Sequence, residues 1–395
     1  KMLDSLNKIN LAAWRENPNV AIEIARTIEN ASWQKSPFAP FMGRGQDRGV
    51  RTYNVKDSNP YRPRLKAQLT GDGVRGNADF ETNFDNLEIL SQTVYPLIIG
   101  NSIKSPVKQY TQIEQIDFIK EATESLTDWI QDKRDRAFIT ALTNDLSNVV
   151  VCDKNGGKGY KDTTAETSVI EASKKTVKGD VCNVKALRRA IFMARSGINY
   201  KNKEAFPIKP IRSNMHSVGG IEVTNYSYLI LLDTYQANQL KNDPEWIAMQ
   251  KVGVRGEKNN LFTGLVGLVD ECPVIDMGVW TKMQVGLLNS EISDSDFISN
   301  INEQNLGGNL TPPSKYANGQ AVSIGFLIGA SALVMVGSDT PSFYIDESQD
   351  AGRKVVCGVD RLMAIAKAKF ENASGRLSPY ANTDFSTIGI ISSKE

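Results

Sequence analysis

From Thr111 to Leu146 the chain contains neither proline nor glycine. Apolar side chains recur there at Ile113, Ile116, Ile119, Ala122, Leu126, Trp129, Ile130, Ala137, Phe138, Ala141 and Leu142. That is a single stripe of 3.6-residue period held for about nine turns. Thr111 and Glu114 form a capping-box pattern at its start. Acids (Glu114, Asp117, Glu121, Glu124, Asp128) precede bases (Lys133, Arg134, Arg136), the order a helix dipole favours. The spacing predicts one rod over Ile113 to Leu146, roughly 50 Å long. Its charged positions read as a solvated face, and Trp129 is expected to be buried against the subunit's own sheet. A compact enzyme domain rarely needs a helix of this length, so any fold proposed for the chain must find a use for it.

The 395 residues carry a net charge of +1, with 41% hydrophobic and 23% charged residues. That is the composition of a folded protein without the basic excess of a general nucleic-acid coat or membrane-surface binder. Leu3 to Trp14 is amphipathic and charged, so it does not read as a signal peptide. Val322 to Val336 is apolar but interrupted by Ser323, Gly325, Gly329 and Ser331. It is shorter than the roughly 20 residues of a membrane span and reads as buried core. The expectation is a protein made and folded in cytoplasm, with no membrane partner.

Residues 1–48 read as an arm. Asn19 to Glu29 has helical patches, and Trp33, Phe38 and Phe41 look like exposed anchors that pack on another surface. Next, Arg62, Arg64, Lys66 and Gln68 alternate with Pro63, Leu65, Ala67 and Leu69. Beyond a glycine-rich turn, Asp79, Glu81, Asn83 and Asp85 alternate with Phe80, Thr82 and Phe84. A hairpin centred between Gly73 and Val74 would set Arg62 opposite Asp85, Arg64 opposite Asn83 and Lys66 opposite Glu81. Each opposite-charge pair contributes about 0.2–1 kcal/mol. Two strands alone are marginal, so this hairpin is expected to project and settle on a neighbouring copy. Glu88 to Val107 reads as strand, Asp153 to Asp180 as a polar surface loop, and Val184 to Ser196 as a helix stopped by Gly197. From Gly220 the texture is α/β. Tyr226 to Leu232 is a strand, Asp233 and Asp243-Pro244 start helices, and Asn289 to Ser314 is a long polar loop. Arg361 to Phe370 and Phe385 to Ile391 are closing strands.

Little here can do chemistry. Gly71-Asp72-Gly73-Val74-Arg75-Gly76 matches GxGxxG, but its flanks are alternating polar strands where the dinucleotide fingerprint needs a buried strand and a helix N-terminus. It reads as a hairpin turn. His216, the one histidine, lies in a polar segment and reads as a surface or loop residue. Cys152, Cys182, Cys272 and Cys357 form no CxxC and read as isolated reduced thiols. Asp294 and Asp296 lack the glycine and final glutamate of a calcium loop. No catalytic, cofactor-binding or metal residue is nominated. An arm, a charge-paired hairpin, a rod and an α/β module all suit contacts between copies, which points to a self-assembling structural protein.

The runs Leu229-Ile230-Leu231-Leu232-Asp233, Ala237-Asn238-Gln239-Leu240-Lys241-Asn242-Asp243-Pro244-Glu245-Trp246 and Leu261-Phe262-Thr263-Gly264-Leu265-Val266-Gly267 resemble the major capsid proteins of Schitoviridae-type podophages and their crAss-like relatives. Phe41-Met42-Gly43, Leu69-Thr70-Gly71-Asp72-Gly73, Phe326-Leu327-Ile328-Gly329 and Asp350-Ala351-Gly352-Arg353 extend the likeness, as do Tyr380, Phe385 and Ile388-Gly389 at the end. Asp153 to Asp180 and Asp270-Glu271-Cys272-Pro273 depart from it. The resemblance implies an α+β, Johnson-type (Hong Kong 97-like) tailed-phage capsid fold. It divides the chain into an arm (1–48), an extended-loop hairpin (49–90), a peripheral domain with the spine helix (91–220), an axial domain (221–364) and a return to the peripheral domain (365–395). It implies hexamers and pentamers in an icosahedral shell around double-stranded DNA, assembled in host cytoplasm with scaffolding, portal and decoration proteins. Subunit contacts are then expected at Phe38, Phe41, Arg62, Arg64, Lys66, Gly71, Asp72, Gly73, Glu81 and Asp85. Two other readings are an encapsulin-like nanocompartment and a nucleotide-binding enzyme using the Gly71 loop.

Overall fold

Two helices frame the subunit. α1 spans Asn19–Lys35 and α2 spans Gln115–Thr143, a continuous helix of 29 residues, or roughly 43 Å. It is the rod the apolar stripe called for, unbroken at Asp128. The computed structural model describes residues 19–36, 38–56, 59–66, 73–76, 89–91, 93–105, 115–143, 145–154, 157–218, 221–253, 265–277, 316–371, 373 and 375–394. The Thr111–Glu114 capping box therefore lies outside the described residues. So do the Asn289 to Ser314 loop and the Asp294 and Asp296 carboxylates.

The early strands are β1 (Met42–Gly43), β2 (Val50–Asn54), β3 (Arg64–Lys66), β4 (Ile89–Ser91), β5 (Leu97–Lys104) and β6 (Val149–Val151). Helices α3 (Val169–Ser173) and α4 (Val184–Ser196) follow, then β7 (Ile211–Val218), β8 (Ile221–Ser227) and β9 (Leu229–Leu232). After α5 (Thr234–Lys241) and α6 (Pro244–Gly253) come β10 (Leu265–Val269), β11 (Cys272–Asp276), β12 (Val322–Ile328), β13 (Leu333–Gly337), β14 (Ser342–Asp346), β15 (Val356–Lys367) and β16 (Thr387–Ser393).

Two six-stranded sheets carry the fold. The first runs β1-β2-β13-β15-β14, with β5 on the opposite side of β15; the second runs β10-β11-β9-β12-β16-β6. The expected division of the chain is corrected here. β13, β14 and β15, placed in a 221–364 module, share a sheet with β5, while the final strand β16 joins β9, β12 and β6 in the other. Strand partners are set by pairings hundreds of residues apart, and local texture carries no record of them. The two sheets are tied by chemistry as well. Lys367, at the end of β15, makes a fully buried 2.8 Å ion pair with Asp384, just before β16.

Local signals stop the elements as expected. Gly197 ends α4 at φ +65°, where an added Cβ would meet Ala205 O at 2.8 Å, so glycine is required. Asp233 caps α5 and its carboxylate accepts from Thr234 N–H. Asp243 accepts from Glu245 N–H at the start of α6 and from Val184 N–H at the start of α4. β12 and β13 are buried at every position.

Asp153 to Asp180 exposes Lys154, Lys158, Lys174 and Lys178 as a polar surface loop should, but it also contains the short helix α3 and a buried acid. Asp180 is fully buried; it accepts from Val177 N–H and pairs with Lys161 at 2.6 Å. A buried acid satisfied this way looks, in sequence, like any loop aspartate. Among the described residues no helix is long and apolar enough to cross a membrane.

Candidate assembly surfaces

Four features of the described residues bear on catalysis. No group of three or more His, Cys, Asp or Glu side chains is placed to hold a metal ion. All four thiols are buried. A hydrogen bond with Cys182 and burial push the Cys152 thiol up, and burial pushes Cys357 up to about 12, the opposite of the shift that activates a nucleophile. His216 sits within strand β7 opposite Val223, not in a loop. Gly73 and Gly76 take φ +69° and +67° in the connection from β3 to β4.

That connection belongs to an antiparallel hairpin, and its register corrects the charge ladder. Arg64 lies opposite Ser91, Leu65 opposite Leu90 and Lys66 opposite Ile89. Lys66 thus pairs eight residues beyond Glu81. The hairpin base explains why. Tyr61 and Val94 exchange two 2.8 Å backbone hydrogen bonds, Val94 is buried, and the Tyr61 ring tilts onto Tyr53 at 5.1 Å. Burying one valine contributes about 1.5–3 kcal/mol, more than any single exposed cross-strand charge pair. Arg62 is exposed beside this base. Gly71, Asp72, Glu81 and Asp85 lie outside the described residues.

The arm's anchors are likewise redirected. Phe38 is buried within its own subunit, its ring 4.8 Å from that of Phe138 on α2. Phe41 and Trp33 are half-buried. The surface they were expected to seek is the spine helix of the same chain. Ile24, Ala25 and Ile28 of α1 pack with Ala122, Leu126 and Ile130 of α2. Glu29 accepts from Trp33 Nε1 and pairs with Arg361 on β15.

What composition did not show is an apolar edge. Among the described residues β5 pairs only with β15, and Leu97 and Ile98 on it and Tyr95 just before it are exposed, Ile98 to 68%. Leu268, on the outermost strand β10 of the other sheet, is 59% exposed. Strand edges with exposed aliphatic side chains are templates for pairing with another chain. Leu97-Ile98-Ile99 reads as a core run. Only the polar Gly100-Asn101-Ser102 that follows hints that one side meets solvent or a partner.

Residues 200–394 match the family model described as phage capsid protein. End to end, the chain is 47% identical to the major structural protein ORF14 of Helicobacter pylori bacteriophage KHP30, covering 100% of both. Among solved structures it resembles the acidic stable capsid of the same phage (43% identity, 91% of each chain, TM-score 0.65). It also resembles the head of Helicobacter pylori bacteriophage KHP40 (44%, 91% of each, TM-score 0.68). The capsid of Ralstonia phage GP4 shares the fold at 14% identity, with 90% of each chain covered and a TM-score of 0.60.

Proposed function

The chain belongs to the phage capsid protein family, and from that premise we propose that its copies gather into hexamers and pentamers and close an icosahedral shell around double-stranded DNA. It is a major capsid protein with the Johnson-type fold, a structural protein and not an enzyme, and its place is the virion capsid. Assembly takes place in the host cytoplasm with scaffolding, portal and decoration proteins. The first sheet with α1 and α2 serves as the peripheral domain. The second, with α4 to α6, serves as the axial domain, and the β3–β4 hairpin serves as the extended loop reaching a neighbour. Arg62, Arg64 and Lys66 on that hairpin, with Phe41 at the arm, supply contacts between subunits. Placement among the Schitoviridae-type and crAss-like capsids rests on the residue runs around Leu229, Asp243 and Leu265.

The observation that carries self-assembly is the edge of β5 that no described strand covers. Eight residues of strand present backbone donors and acceptors together with Ile98, Leu97 and Tyr95. In a closed symmetric assembly each such contact recurs in every copy, so weak contacts gain great leverage. Purified protein viewed by negative-stain microscopy should form uniform shells. Ile98→Lys should leave subunit circular dichroism unchanged and shift the protein to small species. A wild-type protein that stays monomeric at every concentration would overturn the reading.

A further inference from the structure

Charge is not spread evenly along this nearly neutral chain. Residues 153–209 hold 13 Lys and Arg against six Asp and Glu, while the whole chain holds 46 against 45. The remainder is therefore acidic, 33 against 39. The fold brings the segments that carry most of these cations together beside β6. Lys154 Nζ donates to Lys178 O, Lys185 Nζ to Gly157 O, Lys161 Nζ to Lys175 O, and Lys175 Nζ to Asp162 O. Each bond draws one lysine-bearing segment against another. Gly159, at φ +75°, lets the first of these loops close on α4; a Cβ there would fall 2.5 Å from Asn183 Oδ1 and 2.7 Å from Lys185 Cβ.

At the centre lies a cleft of about 90 Å³, lined by Lys158, Lys161, Arg189, Tyr160, Tyr200 and Asn202 among others. The Arg189 guanidinium hydrogen-bonds Asn202 Oδ1 and lies over the rings of Tyr160 and Phe192 at 5.1 and 5.5 Å. Phe192 is 52% exposed. The face's acids are largely engaged at home. Asp180 is buried on Lys161, Glu166 pairs with Lys175, and Asp162 accepts from Thr164. Lys154, Lys158, Lys174, Lys178, Lys185 and Lys203 stay exposed.

We infer that this face is where the subunit meets the sugar-phosphate backbone of duplex DNA, without reading sequence. The inference rests on the capsid reading above and names the surface it leaves open. Composition separates DNA from a second copy of the chain as occupant. Protein interfaces are depleted in lysine, whereas lysine is a ready phosphate partner as a point charge, and ten of the 13 cations here are lysines. Short-reach, salt-screened contacts of this kind hold a polyanion while letting it slide.

Lysine acetylation of DNA-filled and DNA-emptied shells, read by peptide mass spectrometry, tests it. Lys154, Lys158, Lys178 and Lys185 should gain reactivity several-fold on emptying, while Lys56 and Lys241, exposed elsewhere, should not change. Equal labelling of the face in both particles would overturn the inference. So would protection in both, which would make it a protein interface. Either result leaves the capsid reading intact, and that reading falls only if no shells form. As a second measurement, K158E/K178E subunits should bind a random 20-base-pair duplex with a salt slope lower by about two than wild type, and K56E/K241E subunits should not. An unchanged slope would also overturn the inference.

Discussion

The two halves of α2 share a helix and little else. From Phe118 to Ile130 it is amphipathic, with Ala122, Leu126 and Ile130 buried against α1 and the β14–β15 strands while Glu121, Glu124 and Asp128 face solvent. From Gln131 to Thr143 no residue is exposed. Ala137, Phe138, Ala141 and Leu142 join the core shared by strands of both sheets. Lys133, Arg134, Asp135 and Arg136 are buried with them. Two earlier expectations fail here. The charges of this half are no solvated face. Nor do its bases serve the helix dipole, since none lies in the last turn and the effect fades beyond it. The first half is held by area removed from water; the second also holds a buried ionic network whose members depend on one another.

The sharpest way to separate the halves is to remove Arg134. Its guanidinium lies 3.3 Å from the centroid of the Trp33 ring and donates to Ser32 Oγ at 3.2 Å and Ser32 O at 3.0 Å. Arg134→Ala would leave Asp135 and Glu29 buried without that charge. Breaking one partner out of such a network costs about 3–5 kcal/mol. Urea unfolding of unassembled subunits should show a loss of that size, or no soluble subunit at all. A loss under 1 kcal/mol would mean that the second half holds by apolar packing alone, like the first.

Asp135 sharpens the contrast through pH. Burial raises its pKa to about 6; Arg134 and hydrogen bonds from Gln131 and Ser36 pull the other way. Because the folded pKa lies above the unfolded one, the folded state keeps a proton that the unfolded chain releases between about pH 4 and pH 6. This group's contribution to stability is therefore fully present below that window and falls as pH rises through it. Asp135→Asn has no such loss. The stability of the variant relative to wild type should climb from pH 4 to pH 7 by up to about 3 kcal/mol. A flat difference would place an ionised carboxylate there throughout.

These halves also mark how far residues alone could carry the fold. The stripe from Ala122 to Leu142, the caps at Asp233 and Asp243 and the stop at Gly197 are local events, written within one helical turn, and they stand in the structure. Trp129, expected to be buried, is only half-buried, packed against the core of α1, β14 and β15. The rest depends on partners that no local window contains. Whether Arg134 meets water or Trp33 is decided about a hundred residues away. Whether Lys66 faces Glu81 or Ile89 is decided at Tyr61 and Val94. Whether β16 joins one sheet or the other is decided by β6 and β12. Of the residues expected to contact other subunits, Arg62 is exposed but Phe38 turns inward, and the exposed Leu97 and Ile98 of β5 lie in an apolar run that reads equally well as core.

Glu124 supplies the smallest effect and the control for the others. It is exposed on the outer face of the first half, on the opposite side of the helix from the buried Leu126. Replacing it with alanine swaps one good helix former for a better one and removes a charge already in water. Glu124→Ala should change unfolding stability by no more than about 0.5 kcal/mol. If it cost as much as Arg134→Ala, solvent exposure would not be what distinguishes the halves, and the outer face of the spine helix would have to be packed against something other than water.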